Sequence, residues 1–185
     1  MYKKCTTEQS AARQKVFEQG LLQAMLSRDY EDISISDLCD QMQIPRKSFY
    51  RYFSGKDGAL HALLDHTLLE FVQGDFGKGV RSDAIGELES FFVFWHERRE
   101  LLKALVRSRL GGLLVERATY HAIHERMMPK YLLTMPVEVQ QMSLTFVVCG
   151  LLSMVLQWHN HNYRETPGEM AQMATMMLTM PLIRK

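Results

Sequence analysis

Proline most constrains this chain, because it occupies only positions 45, 129, 136, 167 and 181 of 185 residues. Between these prolines, apolar residues recur at spacings of three and four, which is the rhythm of an amphipathic helix. No convincing run alternates β-branched and polar residues as a strand would. The sequence therefore predicts an all-α fold.

Breaks in the apolar rhythm divide the chain into helices. A first helix starts at Thr6 or Thr7, ends near Arg28 and buries one face, formed by Val16, Phe17, Leu21, Ala24 and Met25. Further helices are expected at about 34–42, 45–53, 56–73, 83–97, 99–110, 113–131, 137–160 and 167–181. The clearest linker is the glycine-rich stretch 74–79.

Composition and charge exclude several classes of protein. Twenty-two basic against 21 acidic residues give a net charge of +1, so any nucleic-acid signal must be local. The N-terminus has no apolar stretch typical of a signal peptide. Polar residues interrupt every apolar run before the ~18 residues that a membrane span needs. Three widely spaced cysteines form no disulfide framework. We therefore expect a cytoplasmic protein with reduced thiols and no membrane partner.

One segment of the sequence has a local excess of positive charge. Between Ile44 and Lys56 lie four basic residues and no acid. The segment is also the second helix of a short helix–turn–helix, which can enter the major groove of DNA. Arg46 can bind guanine, Ser48 can donate or accept a hydrogen bond, and Phe49 and Phe53 face the interior. Tyr50, Tyr52 and Lys56 can reach phosphates. A solvated basic helix is the ordinary alternative, but the turn and the interleaved tyrosines favour DNA.

The run 33–53, followed by Lys56 and Leu60, resembles the DNA-binding signature of TetR-type transcriptional regulators. The resemblance covers about residues 8–66. It implies a dimeric repressor with a DNA-binding domain over 1–66, its helix–turn–helix at about 34–53, and an effector-binding and dimerisation domain over 67–185. The DNA-binding positions implied by this resemblance and the basic segment are Ser34, Ser36, Arg46, Lys47, Ser48, Tyr50, Arg51, Tyr52 and Lys56.

This sequence departs from the family pattern in its turn and recognition helix. Gln43 stands where the turn usually has glycine, which predicts a strained backbone there. Pro45 replaces a small capping residue and removes one hydroxyl that could face a phosphate. Tyr52 replaces a common histidine. These changes leave the basic character intact while altering the individual contacts.

The C-terminal helices predict a ligand pocket and a dimer interface. They hold more aromatic and methionine bulk than a small three-helix core consumes, together with a few polar groups that could orient a ligand. Helices 137–160 and 167–181 are wide-faced and apolar, so we expect them to join two copies that bind a palindromic operator. The ligand should be small, largely hydrophobic, and neutral or weakly charged. The candidate lining residues are Phe92, Trp95, Leu105, Tyr120, His121, His124, Met128, Phe146, Cys149 and Trp158.

Two other functions compete with a ligand-controlled regulator. The first is a DNA-bound structural or cell-division factor whose C-terminal domain binds a protein; the absence of any cavity above about 100 Å³ would favour it. The second is a helical enzyme, which we do not expect because no acid–base pair or GxSxG motif is present. No metal or cofactor is expected, because no cysteine or acid joins His121 and His124, or His159 and His161, at ligand spacing.

Overall fold

The computed structural model describes residues 1–74, 84–124 and 134–179. Within these ranges the chain is helical, and its one β contact is an isolated antiparallel bridge between Tyr2 and Phe53. This confirms the all-α fold. The helices are α1 (Glu8–Ser27), α2 (Ile35–Gln41), α3 (Arg46–Phe49), α4 (Lys56–Gln73), α5 (Ala84–Glu97), α6 (Arg99–Arg107), α7 (Gly111–His124), α8 (Val137–Asn160) and α9 (Pro167–Thr179).

Side-chain caps place the starts of the first helices. Thr7 Oγ1 accepts the backbone N–H of Ser10 at 3.2 Å, and Ser34 Oγ accepts that of Asp37 at 3.0 Å. Each cap satisfies a backbone donor that has no partner inside the helix. Gln43 has a φ of 54°, so the strain expected in the turn is present.

Two expectations for these first helices were wrong. The α-helix at the basic segment ends at Phe49 rather than Phe53, because Arg51 N–H donates to Ser48 O and Tyr52 N–H to Phe49 O in tighter turns. Val16 is 45% exposed instead of buried, so the apolar face of α1 is narrower than expected. The residues predicted helical at 125–131 and 180–181 lie outside the described ranges.

An aromatic cluster forms the core of the N-terminal helices. The Phe17 ring of α1 meets the Phe49 ring edge-on at 5.4 Å and the Phe53 ring at 6.0 Å. Phe49 and Phe53 lie 5.0 Å apart, and all three side chains are buried. This packing turns the polar side chains of α3 outward.

The C-terminal helices pack as two pairs, α5 with α9 and α7 with α8. Phe92 of α5 meets Trp158 of α8 edge-on at 5.8 Å and ties the pairs together. Helix α4 packs on both α1 and α7 and runs without interruption through residue 66. It therefore connects the N-terminal core mechanically to the C-terminal helices.

Helix α8 differs from the other described helices in its surface. By length and composition it could cross a membrane, and only 17% of its most apolar stretch is buried inside the chain. Length and composition alone do not identify a membrane span, because helices of soluble proteins pass the same test. Its exposed apolar side chains include Val139, Met142 and Phe146. These three recur at spacings of three and four, so they share one face.

A buried acid and a histidine hold α1 against α4. The Glu18 carboxylate is buried, and both of its oxygens lie 3.0 Å from His66 Nδ1. The hydrogen bond to Glu18 raises the pKa of His66 against the opposing effect of burial. Protonated His66 therefore supplies the counter-charge that buried Glu18 needs.

The His66–Glu18 pair predicts a pH dependence of stability. Because the pKa of His66 is higher in the folded chain than in the unfolded chain, its contribution is complete below about pH 6.5 and is lost as the pH rises through the folded pKa. Urea unfolding between pH 5.5 and 8.5 should show a larger decline for the native chain than for His66→Gln. His61→Gln, on the same helix, should retain the native decline. Parallel pH curves for the native chain and His66→Gln would contradict this assignment.

Candidate nucleic-acid interface and interior cavity

The α2–α3 pair presents a basic surface on the N-terminal unit. Arg46 and Lys47 begin α3, and both are exposed. Tyr50 is 53% exposed, and Arg51 follows it on the surface. No acidic residue lies between these positions, so the surface offers guanidinium, ammonium and phenol donors to an anionic partner.

The remaining DNA-binding candidates are less accessible, because they are half-buried or already hydrogen-bonded. Ser48, Tyr52 and Ser36 are half-buried. Ser34 is exposed, but its hydroxyl oxygen is already the cap of α2. The structure thus brings Arg46, Lys47, Ser48, Tyr50 and Arg51 together around α3, with Tyr52 behind them.

Lys56 is held by the protein itself. Its ammonium donates to Tyr30 O at 2.6 Å and to Glu31 O at 3.3 Å, and lies 4.2 Å from the centre of the Tyr30 ring. Tyr30 in turn donates its hydroxyl to Asp57 at 2.6 Å. Lys56 therefore fixes the 3-10 turn Tyr30–Asp32, which precedes α2, to the start of α4.

A polar groove beside α3 contains residues that sequence reasoning missed. It runs between the start of α1 and the residues that follow α3, so that Arg13 and Arg51 line the same groove. Gln9 and Arg13 share an outward helical face, a spacing signal that could have identified them. The groove is lined by Thr7, Gln9, Ser10, Ala12, Arg13, Val16, Arg51 and Tyr52.

A partly open cavity of about 160 Å³ lies between α4 and the C-terminal helices. Its described walls come from α4, α5, α7 and α8, and no polar atom of these described residues is exposed on them. The cavity contacts α4 through Leu68, Phe71 and Val72. The side chains from the other three helices are Phe91, Trp95, Ala118, His121, Ala122, Leu144, Val147, Val148, Leu151 and Leu152.

The structure places two of the ten predicted ligand residues, Trp95 and His121, in the cavity wall. Phe92, Leu105 and Trp158 are instead buried in the packed core. Cys149 is half-buried, with its Sγ 3.8 Å from Thr119 Oγ1.

The other predicted ligand residues lie away from the described cavity wall. Tyr120 and His124 stack on each other at 3.9 Å on the surface, and Phe146 is 63% exposed. Met128 lies outside the described residues. The sequence missed Val147, Val148, Leu151 and Leu152, because one apolar helix turn looks the same whether it faces a cavity or a core.

His121 also belongs to a buried charge cluster centred on Asp65 of α4. Arg117 donates to both carboxylate oxygens, through Nε at 2.7 Å and Nη2 at 2.6 Å. His121 Nε2 lies 2.9 Å from Oδ1, and the Tyr2 hydroxyl donates to Oδ2 at 2.8 Å. Burial alone would raise the pKa of Asp65, but the hydrogen bonds from Arg117, His121 and Tyr2 hold it below its ordinary value. Asp65 is therefore an anion with three partners.

The described residues contain no group of three or more histidine, cysteine or acidic side chains placed to hold a metal ion. The indole Nε1 of Trp95 is buried and has no hydrogen-bond partner in the described structure. Such a donor is costly to leave unpaired.

The C-terminal half matches a family model described as the C-terminal region of transcriptional regulators, over residues 85–180. This match spans more than half of the chain, and the chain belongs to that family of TetR-type transcriptional regulators. The match is to regulators rather than to enzymes. No curated protein sequence matches the chain.

Three solved structures share the fold. The fatty acid degradation regulator FadR from Bacillus halodurans has a TM-score of 0.60 at 12% identity, with 98% of this chain and 100% of that chain covered. The dihydroxyacetone kinase operon activator DhaS has a TM-score of 0.57 at 14% identity, with coverages of 90% and 93%. The TetR family repressor AlkX from Dietzia sp. has a TM-score of 0.56 at 17% identity, with coverages of 89% and 92%. At these identities the likeness is one of fold.

Filling the cavity should be tolerated where filling the core is not. Ala118 and Ala104 are both buried alanines, but only Ala118 lies among the cavity-lining residues. Ala118→Leu should place its added atoms in empty space and leave the free energy of unfolding within about 1 kcal/mol of the native value. Ala104→Leu, the matched control, should overpack the core and cost about 1–3 kcal/mol. Urea unfolding measures both, and equal losses would mean that the cavity is not available space.

Proposed function

We propose that the chain is a homodimeric cytoplasmic repressor whose binding to double-stranded operator DNA is controlled by a small apolar ligand. The observation that carries this proposal is the cavity of about 160 Å³, which has α4 in its wall. The same helix packs on α1 of the unit that bears α3. A C-terminal unit without a cavity would have favoured a protein partner instead.

The basic surface supports DNA as the partner of the N-terminal unit. Helix α3 begins with two exposed cations, and a helix of this width fits the major groove. Arg46 is suited to a bidentate contact with guanine because its guanidinium carries two parallel donors. Arg13 and Arg51 flank the polar groove and are suited to the phosphates on either side.

The cavity wall supports a neutral, hydrocarbon-like effector. Because no polar atom is exposed on the wall, a charged ligand would lose its hydration without gaining a partner. A dry cavity of about 150 Å³ is large enough for benzene.

Exposed apolar residues on α8 and α9 support the homodimer. Met142 is 69% exposed and Phe146 63%, while Met176 and Met177 are each 60% exposed on α9. Gly150 continues the α8 face, and a Cβ added there would meet open space. A second copy covering this face would remove the apolar side chains from water.

The function is tested by selecting operator sequences from random duplex DNA with the purified chain. A regulator should enrich a palindrome, since twofold symmetry presents two copies of α3 to two half-sites. A reporter gene placed behind the selected sequence should be repressed by the chain and released by a cavity-sized apolar compound. Enrichment of no sequence would refute the proposal.

Arg46 and Arg51 should differ in what their loss does to DNA binding. Arg46→Gln should remove discrimination at one base pair, worth about 1–3 kcal/mol, while binding to scrambled DNA changes little. Arg51→Gln should weaken binding to operator and scrambled duplexes alike and lower the salt slope by about one unit. Titrations against both DNAs at several salt concentrations distinguish the two roles. Equal losses on both duplexes for Arg46→Gln would refute its role in base recognition.

The dimer face makes a separate prediction. Phe146→Asp and Met177→Asp each place a carboxylate where an apolar partner surface is expected, so either should convert a dimer to a monomer at micromolar concentration. Val16→Asp, an equally drastic change at an exposed apolar position of α1, should leave the dimer intact. Light scattering coupled to gel filtration reports the mass. A native chain that is already monomeric would contradict the proposed interface.

A further inference from the structure

The first three residues pair with residues 52–54, in the turn that follows α3. Lys3 N–H donates to Tyr52 O at 2.9 Å, and Ser54 N–H donates to Met1 O at 3.1 Å, on either side of the Tyr2–Phe53 bridge. This backbone pairing attaches residues 1–3 to the turn that directly follows α3. Tyr2 is therefore joined to Tyr52, Phe53 and Ser54 by backbone contacts on both sides of one bridge.

The Tyr2 side chain leaves this bridge and enters the interior. Its hydroxyl donates to Asp65 Oδ2 at 2.8 Å, and its ring meets the His66 ring edge-on at 5.8 Å. The same carboxylate is bound by His121, whose side chain belongs to the cavity wall. The Asp65 carboxylate therefore contacts both a residue of the cavity wall, His121, and the N-terminal segment that pairs with residues 52–54.

We propose that Tyr2 and Asp65 are positioning residues that couple occupancy of the cavity to the placement of α3. The inference rests on the proposed function and assigns its regulation to named atoms. A ligand that displaces the His121 ring lengthens or misaligns its bond to Asp65. Hydrogen bonds weaken steeply with misalignment, so the Asp65 carboxylate reorients. The Tyr2 hydroxyl moves with the carboxylate, and the backbone of residues 52–54, which is paired with residues 1–3, moves with Tyr2.

The apolar contacts of α4 are less suited to this coupling. Leu68, Phe71 and Val72 meet the cavity through dispersion contacts, which are individually weak and tolerate small shifts. The Asp65 cluster consists of charge-assisted hydrogen bonds in a buried setting, where geometry carries more free energy. Removing one hydroxyl from the cluster should therefore remove coupling without removing either binding site.

The two tryptophans provide a direct readout. Trp95 belongs to the cavity wall, and Trp158 belongs to the packed core. The chain labelled with 5-fluorotryptophan is titrated with benzene as the cavity probe, in the presence and absence of the selected operator duplex. The ratio of the two benzene dissociation constants measures the coupling, which by thermodynamic reciprocity also describes the effect of benzene on DNA affinity. Coupling of about fivefold or more is expected in the native chain.

Tyr2→Phe keeps the ring and removes only the hydroxyl. In this variant the ratio of the benzene dissociation constants with and without operator duplex should fall to about one. The affinity for benzene without DNA should stay unchanged. Tyr163→Phe is the matched control, because it removes a comparable hydroxyl bond, 2.9 Å to His159 Nδ1, outside the Asp65 cluster. It should keep the native ratio.

A second variant tests the other end of the same connection. Lys3→Pro removes the N–H that donates to Tyr52 O without touching Asp65, and Lys4→Pro is its neighbour control. Lys3→Pro should also bring the ratio of the benzene dissociation constants to about one. If Tyr2→Phe does not fold, the ratio in Lys3→Pro alone tests the coupling. Native ratios in Tyr2→Phe and Lys3→Pro would overturn this inference alone. Failure of the native chain to bind any duplex, or of the Trp95 signal to respond to benzene, would overturn the proposed function and this inference with it.

Discussion

The buried carboxylate of Asp65 is the interaction on which the arrangement of this chain depends. An anion removed from water costs several kcal/mol unless charges and donors surround it. Here Arg117, His121 and Tyr2 satisfy it together, and they come from α7 and from the N-terminal segment. Because the three partners must converge on one group, the cluster sets how α4 sits against α7 and where residues 1–3 lie. Apolar packing alone would tolerate sliding between these helices.

Helix α4 carries two kinds of contact with different consequences. Toward the N-terminal unit it is held by polar bonds, such as His66 with Glu18 and Lys56 with the carbonyls of the 3-10 turn. Toward the C-terminal helices its side of the cavity is apolar and incompletely filled. An unfilled apolar space lacks dispersion partners and is favourable for a ligand to occupy. Polar bonds thus fix α4 against both α1 and α7, while its apolar side at the cavity remains incompletely filled.

The basic surface at α3 and the cavity could be predicted from the sequence to different extents. Burial of Phe49 and Phe53 turns Arg46, Lys47 and Tyr50 outward. The spacing of these residues over one short segment is enough to predict this arrangement. The sequence predicted a pocket formed by residues 91–95, 105–128 and 146–158, whereas the described cavity is also lined by α4, and of the predicted residues only Trp95 and His121 lie in its wall. Phe92 and Trp158 fill the core that surrounds the cavity, and nothing in their spacing distinguishes these two roles. The contacts of Lys56 with the carbonyls of Tyr30 and Glu31 could not be predicted from the sequence, because backbone acceptors carry no side-chain signal.

The sequence by itself determined the helices, their caps and the basic character of α3, since these depend on residues close together in the chain. The rhythm of apolar side chains, Ser34 before α2 and Pro45 before α3 are sufficient for that. Only the tertiary structure decided that Asp65 meets Tyr2, Arg117 and His121, that a polar groove joins Arg13 to Arg51, and that four helices leave a space between them. These features arise from how helices of known length cross one another. The crossing depends on side-chain shapes summed over the whole interface, which no local pattern contains.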